Sequence, residues 1–581
     1  MKYLYSMLLL VAATMAMYGT DADNSYTRAI RNLSQTKDSA MVMDMAEKDL
    51  KWQGDMIPVA RLDEGRFYYL HCGEQTPTFV KYLSRYVQIN PISRVELKKL
   101  TEKDILIISY TDGRADIALL QTLAAHPRTI IASFGEKSSF VKRKIEECSS
   151  NVVYASSTSY FSQIAAASLI FGGIGDENRS VKRLSYGLPS QVGMSADSLA
   201  KIDNIMNEVV SSGAAPGVHV LVARHGRVVY DRWTGTTMGD MKESLPVTGD
   251  MIYDMASVTK VMACLPFVMK LYDEGKIKLD DRLGDVMPKF KGTNKENMIL
   301  ADILTHRAGL KAWIPYYLQT LDENDEPLPQ YYRTTPTPGF SHKVVDGMYA
   351  IDSITDTIEK QMIESPVRDD KKYVYSDFAF FIFRQMAEQF YGNRLDTLVQ
   401  DNLYRSIGAW KSGYNPLDRF SRNMIVPSEN EKYWRHTIVQ GYVHDMAAAF
   451  LDGVSGHAGL FSTADDMAKM AQMYLWKGEY GGIRYINEST VKLFSSCYYC
   501  NEGNYRGLGF DRPSFSNKIM GPATFGHTGF TGTAVWIDPE ADMIYIFLSN
   551  RTFESMNNNQ LSRGSYRNRI QKLCYNSIIE E

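Results

Sequence analysis

The sequence predicts two globular units, a smaller α/β domain with a parallel sheet followed by a larger α+β domain with an antiparallel sheet. Between residues 64 and 175, short apolar runs alternate with amphipathic stretches, which is typical of parallel strands covered by helices. After a polar linker at 175–191, hairpin patterns stand at both ends of the remaining chain, with a long helix-rich region between them. Two chain ends that both supply antiparallel strands predict one shared sheet.

The first unit, placed at residues 23–185, is predicted from runs rich in β-branched and aromatic residues. The predicted strands are Phe67–Cys72, Asp104–Tyr110, Thr129–Gly135 and Asn151–Ser156, and the predicted helices are Ala115–His126 and Ser162–Gly173. The sequence of this unit has no Gly-rich phosphate loop and no cluster of carboxylates at strand ends, so it indicates no chemistry of its own.

The second unit, residues 186–581, begins and ends with predicted hairpins. Residues 217–233 form two strand patterns around His225-Gly226, a dipeptide that favours a tight turn. Near the C-terminus, residues 533–539 and 543–550 repeat this pattern. The inserted helix-rich region completes the α+β prediction.

The N-terminal residues 1–22 are predicted to be a secretory signal peptide. One lysine, Lys2, precedes the apolar run Met7–Met17, which is too short to cross a bilayer and is followed by small and polar residues. We therefore expect a secreted, periplasmic protein with no membrane span after cleavage.

The charge balance predicts a small-molecule partner. The 64 basic and 67 acidic residues give a net charge of −3, with no long run of one sign. This pattern argues against a nucleic acid or an anionic membrane and leaves a small neutral or mixed-charge ligand as the expected partner.

The cysteines and histidines predict no metal site. Six scattered cysteines include one close pair, Cys497 and Cys500, which is either a local disulfide or two thiols. No second pair or neighbouring histidine supports zinc, and the other histidines lack metal-ligand spacing. We expect three of them, His306, His444 and His457, to be structural. We expect Asp445 to cap a helix or to lie on the surface rather than to place a charge near the site.

The stretch Ser257-Val258-Thr259-Lys260 is the strongest chemical signal. It opens a helical pattern over 258–274 that ends before Gly275, so the serine lies near free helix N–H groups with a lysine one turn away. Pro266 within this pattern predicts a kink. The same spacing also begins at Ser34, Ser139, Ser198 and Ser489, in leader-adjacent or charged contexts that favour surface positions.

Two further motifs follow in order, Tyr375-Ser376-Asp377 before an apolar helix and His527-Thr528-Gly529 before the last hairpin. Together with the first motif, they resemble the serine β-lactamase and penicillin-binding-protein superfamily, closest to its class C-like esterase and D-peptidase branch. Residues 304–310 and 456–475 are also similar to recurrent stretches of that branch.

This resemblance implies a cofactor-free serine hydrolase with a β-lactamase/transpeptidase-like fold. Ser257 would be the nucleophile, while Lys260 and Tyr375 would move its proton, the ammonium favouring the phenolate. The implied oxyanion and substrate contacts are Ser257, Asp377, His527, Thr528, Gly529 and Phe530. The alternative is a non-catalytic or penicillin-sensing binding module of cell-wall metabolism.

Two departures from the family pattern bear on the substrate. His527 stands where many β-lactamases have lysine, and Asp377 stands where they have asparagine. A histidine that titrates near neutrality is no permanent cation, and an added carboxylate would repel an anionic substrate. We therefore expect esters and amides without a nearby anion, or muropeptide-like substrates held mainly by other contacts, to be turned over better than cephalosporins.

The first unit is similar to the α/β domain that follows the barrel in family-three glycoside hydrolases. In Bacteroidetes-type bacteria, a β-N-acetylglucosaminidase of that family is fused to a β-lactamase-like domain. This chain has no room for the barrel, so we expect no glycosidase activity. The self-contained first unit also predicts that a chain starting near Tyr186 folds and remains active.

Overall fold

The computed structural model describes residues 37–111, 120–122, 126–175, 180–514 and 518–579. Its first sheet has the strand order β1-β6-β5-β4-β2-β3, and all strands but the antiparallel edge strand β1 run parallel. The strands are β1 Lys51–Gln53, β2 Phe67–Cys72, β3 Ile89–Pro91, β4 Ile105–Thr111, β5 Thr129–Phe134 and β6 Asn151–Ala155. The predicted parallel sheet is confirmed.

Apolar side chains cover both faces of this sheet, so central strands such as β4 are buried along their whole length. Ile107 on β4 belongs to the main core, and its neighbour Ile108 belongs to a smaller cluster on the opposite face. The predicted helix at 162–173 is observed as Tyr160–Ile170. The predicted helix at 115–126 lies largely outside the described residues, as does the predicted signal peptide.

The second sheet joins both ends of the larger unit, as predicted. Its order is β10-β11-β12-β8-β9-β7, antiparallel except for the β7–β9 pair. The strands are β7 Ser185–Tyr186, β8 Gly217–Arg224, β9 Arg227–Gly235, β10 Phe525–Thr528, β11 Ala534–Asp538 and β12 Met543–Ser549. His225 and Gly226 both have positive φ, as the tight turn between β8 and β9 requires.

Helices and short ladders fill the rest of the described chain. The α-helices are Lys37–Asp49, Pro77–Leu83, Ser139–Cys148, Tyr160–Ile170, Ala196–Ser211, Leu265–Asp273, Leu283–Val286, Leu300–Leu304, Ile354–Glu364, Phe378–Tyr391, Leu395–Val399, Arg405–Ile407, Met446–Phe450, Ala464–Leu475, Glu488–Ser495, Gln560–Arg563 and Tyr566–Asn576. The short ladders pair Tyr253–Asp254 with Phe461–Ser462, Glu429–Asn430 with Ile438–Val439, Glu479–Tyr480 with Ile483–Arg484, and Met348–Ala350 with both Tyr332–Arg333 and His342–Val345. No described helix combines the length and apolar character needed to cross a membrane.

The two units share one hydrophobic core, which extends from the first sheet into the helical region beside the second. Hydrogen bonds also join the two units: Arg85 donates to Asp231 Oδ2 (2.5 Å) and Asp465 Oδ1 (3.3 Å), and Trp410 Nε1 donates to the Ser84 carbonyl (2.9 Å). This packing argues against the expectation that residues 186–581 fold alone. Without the first unit, the part of the core that the two units share would be exposed to water.

Candidate active site

Ser257 is accessible within a buried segment. Every residue from 251 to 269 is buried except Ser257, which is partly exposed. The segment is a short 3₁₀ turn at Ala256–Val258, a π turn at Lys260–Cys264 and then the helix Leu265–Asp273. The structure therefore presents one hydroxyl at the surface of an apolar wall.

The π turn corrects the prediction of a kinked α-helix at Pro266. Leu265 N–H bonds to the Lys260 carbonyl, five residues back, so the helix changes its hydrogen-bond spacing just before the proline. The carbonyls of Val261 and Met262, five and four residues before the proline, accept instead from the hydroxyls of Tyr474 (2.7 Å) and Tyr404 (3.0 Å). Side chains thus replace the N–H that proline lacks.

The residue before the serine has a left-handed backbone. Ala256 has φ of 46°, a conformation that costs an L-residue about 1–2 kcal/mol. Its N–H donates to Asp254 Oδ1 at 2.8 Å, while Asp254 Oδ2 accepts the His444 N–H at 2.7 Å. Burial raises the pKa of Asp254. No sequence pattern indicated this bracing carboxylate.

Lys260 is completely buried, and each of its three N–H donors has an acceptor. Nζ lies 2.9 Å from Ser257 Oγ, 2.8 Å from Asp377 Oδ1 and 3.1 Å from the His457 carbonyl. Burial disfavours the ammonium, but the Asp377 carboxylate outweighs it and the pKa of Lys260 is raised. The resting lysine is therefore a cation that donates to the serine.

Lys260 also separates this motif from the other Ser-x-x-Lys matches. Lys142, Lys201 and Lys492 are exposed, and Ser34 lies outside the described residues. Among the described matches, the serine–lysine pair with a buried lysine is the one at 257–260.

The Tyr375 ring lies beside this lysine, with Nζ 5.1 Å from the ring centroid. The Tyr375 hydroxyl is buried and completes no well-aligned hydrogen bond within the described residues. Burial raises the pKa of Tyr375, although nearby Lys260 acts to lower it. The ammonium therefore favours the phenolate, as expected, but burial outweighs this effect and the phenol keeps its proton in the free site.

Asp377 occupies a different role from the one expected. Its carboxylate forms an ion pair with Lys260, and its side chain is 19% exposed. Its backbone N–H donates to the Ala312 carbonyl at 3.1 Å, which fixes the start of the helix Phe378–Tyr391. Because the lysine balances its charge, the predicted repulsion toward an anionic substrate is weakened.

His527 lies on β10, opposite Val535 on β11, and is 3% exposed. Nδ1 lies 2.7 Å from the Thr528 carbonyl, so Nδ1 carries the proton and Nε2 keeps its lone pair. Burial lowers the pKa of His527 well below its usual value, and Arg506 and Lys260 act in the same direction. The expectation that His527 titrates near neutrality is therefore wrong, and the ring stays neutral.

The residues after His527 bring β10 against the nucleophile segment. A Cβ on Gly529 would lie 2.1 Å from Thr533 Oγ1 and 2.6 Å from the Met255 carbonyl, so glycine is required here. Thr528 is partly exposed and Phe530 is 50% exposed. This close approach places the turn containing Phe530 beside the segment that carries Ser257.

Arg506 is a site residue that the sequence analysis missed. It is 7% exposed, and its guanidinium carbon lies 5.9 Å from the Tyr375 ring centroid. It pairs with Asp511 at 3.2 Å, while its Nε has no partner among the described residues. A single arginine outside any motif could not be recognised as a site residue from the sequence. It places a permanent positive charge near Tyr375, where none was expected because position 527 is histidine rather than lysine.

The remaining polar residues near the site support its framework. His457 Nε2 lies 2.8 Å from Asp445 Oδ1, and the same carboxylate oxygen caps the helix Met446–Phe450 through Ala448 N–H at 2.8 Å. Asp445 therefore caps a helix, as expected, and also lies close to the lysine site. Asp377, Asp445 and His457 offer ligand atoms within 4.8 Å of one another, but the Lys260 ammonium already pairs with Asp377.

Cys497 and Cys500 form a disulfide. This resolves the two alternatives that the sequence left open for the close pair. Cys148, Cys264 and Cys574 are free thiols in the described part of the chain.

Comparisons with known proteins identify the family of this chain. The family model "Beta-lactamase" matches residues 202–563, more than half of the chain. A protein of Escherichia coli K12 named "Putative D-alanyl-D-alanine carboxypeptidase" is 29% identical over 401 residues, covering 63% of this chain and 86% of the relative. A protein of the same name from Salmonella enteritidis PT4 is 28% identical over 402 residues, with the same two coverages.

Solved structures with a similar fold include "A class C beta-lactamase" (TM-score 0.49, 13% identity, covering 66% of this chain and 98% of that chain). Another is a penicillin-binding protein homolog from Caulobacter crescentus (TM-score 0.47, 16% identity, covering 66% and 98%). The family match does not include the first unit, so its similarity to the glycoside hydrolase α/β domain stays a prediction. With its shared antiparallel sheet and its matched segment of residues 202–563, the chain belongs to the β-lactamase family of serine hydrolases.

Proposed function

We propose that this serine hydrolase works through an acyl-enzyme formed on Ser257. The observation that carries the proposal is the contact between the accessible Ser257 Oγ and the fully buried Lys260 Nζ, 2.9 Å apart. A nucleophile hydrogen-bonded to a group that can accept its proton is the arrangement that covalent acyl transfer needs. Lys260 meets that need once it has given up one proton.

The proton route follows from the three acceptors around Lys260. When substrate binds, Lys260 passes one proton to the Asp377 carboxylate and becomes a neutral amine. The amine then takes the hydroxyl proton as Ser257 Oγ bonds to the substrate carbonyl carbon. The raised pKa of Tyr375 keeps the phenol protonated, and we assign it the complementary role of protonating the leaving oxygen or nitrogen as its bond to carbon breaks. Lys260 and Asp377 return the proton to Tyr375, and water later releases the acyl group and restores the serine.

The negative charge on the carbonyl oxygen is assigned to the backbone N–H groups of Ser257 and Phe530. In the described part of the chain, neither N–H donates to another protein acceptor. The close fit of Gly529 against Met255 holds the two segments together. Fixed N–H groups of this kind stabilise the developing oxyanion without reorganisation during the reaction.

The substrate class we propose is a peptide or ester with a carboxylate near the scissile bond, including D-alanyl peptides. Arg506 supports this choice because its guanidinium lies beside Tyr375 and, although it pairs with Asp511, its Nε has no partner among the described residues. The names of the two carboxypeptidase relatives support the same class. This proposal reverses the preference for neutral substrates that His527 and Asp377 suggested.

We also propose that the protein is secreted into the periplasm. The apolar run Met7–Met17 supports an export signal, and the Cys497–Cys500 disulfide supports an oxidising compartment. A tagged full-length chain found in the periplasmic fraction, shortened at its N-terminus, is the expected result. Retention of an intact N-terminus in the cytosol would contradict it.

Covalent labelling tests the nucleophile. A fluorophosphonate probe should label the parent chain once, and mass spectrometry should place the adduct on Ser257. Ser257→Ala should abolish labelling and ester turnover with an unchanged melting temperature. Ser489→Ala is the matched control, because Ser489 is an exposed serine three residues before an exposed lysine, and it should label like the parent. A parent that stays unlabelled would favour the non-catalytic binding module.

The substrate class is tested by comparing an acyl-D-alanyl-D-alanine peptide with its C-terminal amide. The parent should show a kcat/KM at least tenfold higher for the free acid, and Arg506→Met should remove most of that difference. A tenfold ratio corresponds to about 1.4 kcal/mol, within the range of one charge-assisted hydrogen bond. Equal turnover of acid and amide by the parent would reject the role of Arg506.

A further inference from the structure

His306 contacts the tyrosine-bearing segment at two points that lie on either side of Tyr375. The His306 carbonyl accepts the Val374 N–H at 3.0 Å, and its ring Nδ1 accepts the Ser376 N–H at 3.2 Å. The same ring lies 4.7 Å from the Tyr375 ring, centroid to centroid, at an interplanar angle of 41°. One residue therefore holds the backbone before and after the phenol and also packs against its face.

The position of His306 is itself fixed by its backbone. It follows the helix Leu300–Leu304 with φ of 56°, and its N–H donates to the Ile303 carbonyl at 3.1 Å. The residue is 3% exposed. A left-handed backbone costs a non-glycine residue about 1–2 kcal/mol, so the packing around His306 must hold this conformation.

The hydrogen bond from Ser376 also sets the protonation of the ring. Because Nδ1 accepts, the ring proton lies on Nε2, and a second proton on Nδ1 would break the contact. Burial lowers the pKa of His306 well below its usual value, and the facing groups Arg506, Lys260 and His527 act in the same direction. Asp377, the nearby carboxylate, is paired with Lys260. The ring thus stays neutral and keeps its contact across the neutral pH range.

We propose that His306 is a positioning residue that holds the Tyr375 phenol in place for proton donation to the leaving group. The inference rests on the proposed function, in which Tyr375 supplies that proton. It adds a residue that touches neither substrate nor nucleophile and that acts through the backbone of residues 374–376. Its expected effect falls on the step that needs the phenol and leaves the attack by Ser257 comparatively intact.

The test uses two substrates that differ in how much they need an acid. A nitrophenyl ester has a leaving group that departs as a stable anion, whereas a D-alanyl amide must be protonated as its C–N bond breaks. His306→Leu removes the ring acceptor at similar size, and His306→Asn retains a side-chain oxygen that can accept the Ser376 N–H. We expect His306→Leu to lower kcat at least tenfold more for the amide than for the ester, and His306→Asn to recover most of that difference.

The outcomes separate this inference from the proposed function. Equal losses on both substrates in folded His306→Leu, or a loss that appears only in KM, would overturn the positioning role while Ser257 still labels. Absence of Ser257 labelling in the parent would overturn the proposed function and the inference with it. If His306→Leu fails to fold, His306→Ala, which also lacks the ring acceptor, replaces it: an amide-to-ester ratio at least tenfold below that of the parent supports the role, and a smaller fall overturns it.

Discussion

Replacing Asp377 with asparagine should destabilise the protein by leaving a buried ammonium without its counter-ion. Lys260 is fully buried, and the two charged atoms lie 2.8 Å apart. Removing one partner of a buried ion pair costs about 3–5 kcal/mol. The asparagine keeps an oxygen acceptor and the carboxylate is 19% exposed, so we expect a smaller loss of about 2–3 kcal/mol in the free energy of unfolding at pH 7.

The pH dependence of this loss has a definite sign. In the parent, Asp377 raises the pKa of Lys260 above its unfolded value, so the pair stabilises the fold below the unfolded pKa and the effect disappears as pH rises through the folded pKa. In Asp377→Asn, burial acts unopposed and lowers the lysine pKa. The difference between variant and parent should therefore be largest at neutral pH and should shrink above about pH 10.

Urea unfolding of four proteins gives the pairwise energy: the parent, Asp377→Asn, Lys260→Met and the double variant. Methionine has nearly the length of lysine and carries no charge. If the ion pair accounts for the loss, Asp377→Asn should cost less than about 0.5 kcal/mol when Lys260 is already methionine. An equal cost in both backgrounds would refute the charge argument, as would a loss that does not vary with pH.

Four other changes test separate features of the structure. Tyr375→Phe should lower kcat/KM for a D-alanyl amide by about 10²–10⁴-fold with unchanged labelling of the folded chain; full amide activity would exclude the phenol as the acid. Ala256→Gly should raise the free energy of unfolding by roughly 0.5–1 kcal/mol in urea titrations, and a loss would contradict the backbone strain at that position. His527→Lys should lower the melting temperature, because a second ammonium would be buried beside Lys260; an unchanged value would show that the site is more polar than its burial indicates. A chain of residues 186–581 should aggregate or unfold at lower urea concentration than the full chain, and a soluble, fully active product would restore the prediction of independent folding.

The strands and the three ordered motifs could be predicted from the sequence because their signals are local. The run at 67–72 appears as a strand with the predicted bounds, and Ser257 precedes Lys260 by the one turn that brings their side chains together. The partners of these residues could not be predicted in the same way. Arg506, 131 residues after Tyr375, approaches it through tertiary packing alone.

The electrostatic predictions were incomplete for a related reason. Reference pKa values describe solvated side chains, whereas His527 and the Tyr375 hydroxyl are buried. Burial outweighs the effect of Lys260 on the pKa of Tyr375, and it acts together with Arg506 and Lys260 to lower the pKa of His527. The sequence around Asp377 does not show that the Lys260 Nζ lies 2.8 Å from its carboxylate. Asp377 was therefore expected to face the substrate.

The order of strands in the second sheet has a consequence for biosynthesis. The Ser257 segment is held by Thr531 and Thr533, whose hydroxyls donate to the carbonyls of Asp254 (2.8 Å) and Met255 (3.0 Å) across more than 270 residues of chain. Thr531 and Thr533 are made more than 270 residues after the segment that they hold. The nascent chain therefore carries Ser257 through the synthesis of all the intervening residues without these two hydrogen bonds. Because the strands of the second sheet come from segments so far apart in the sequence, we expect the Ser257 segment to reach its final position only after β11 has been made.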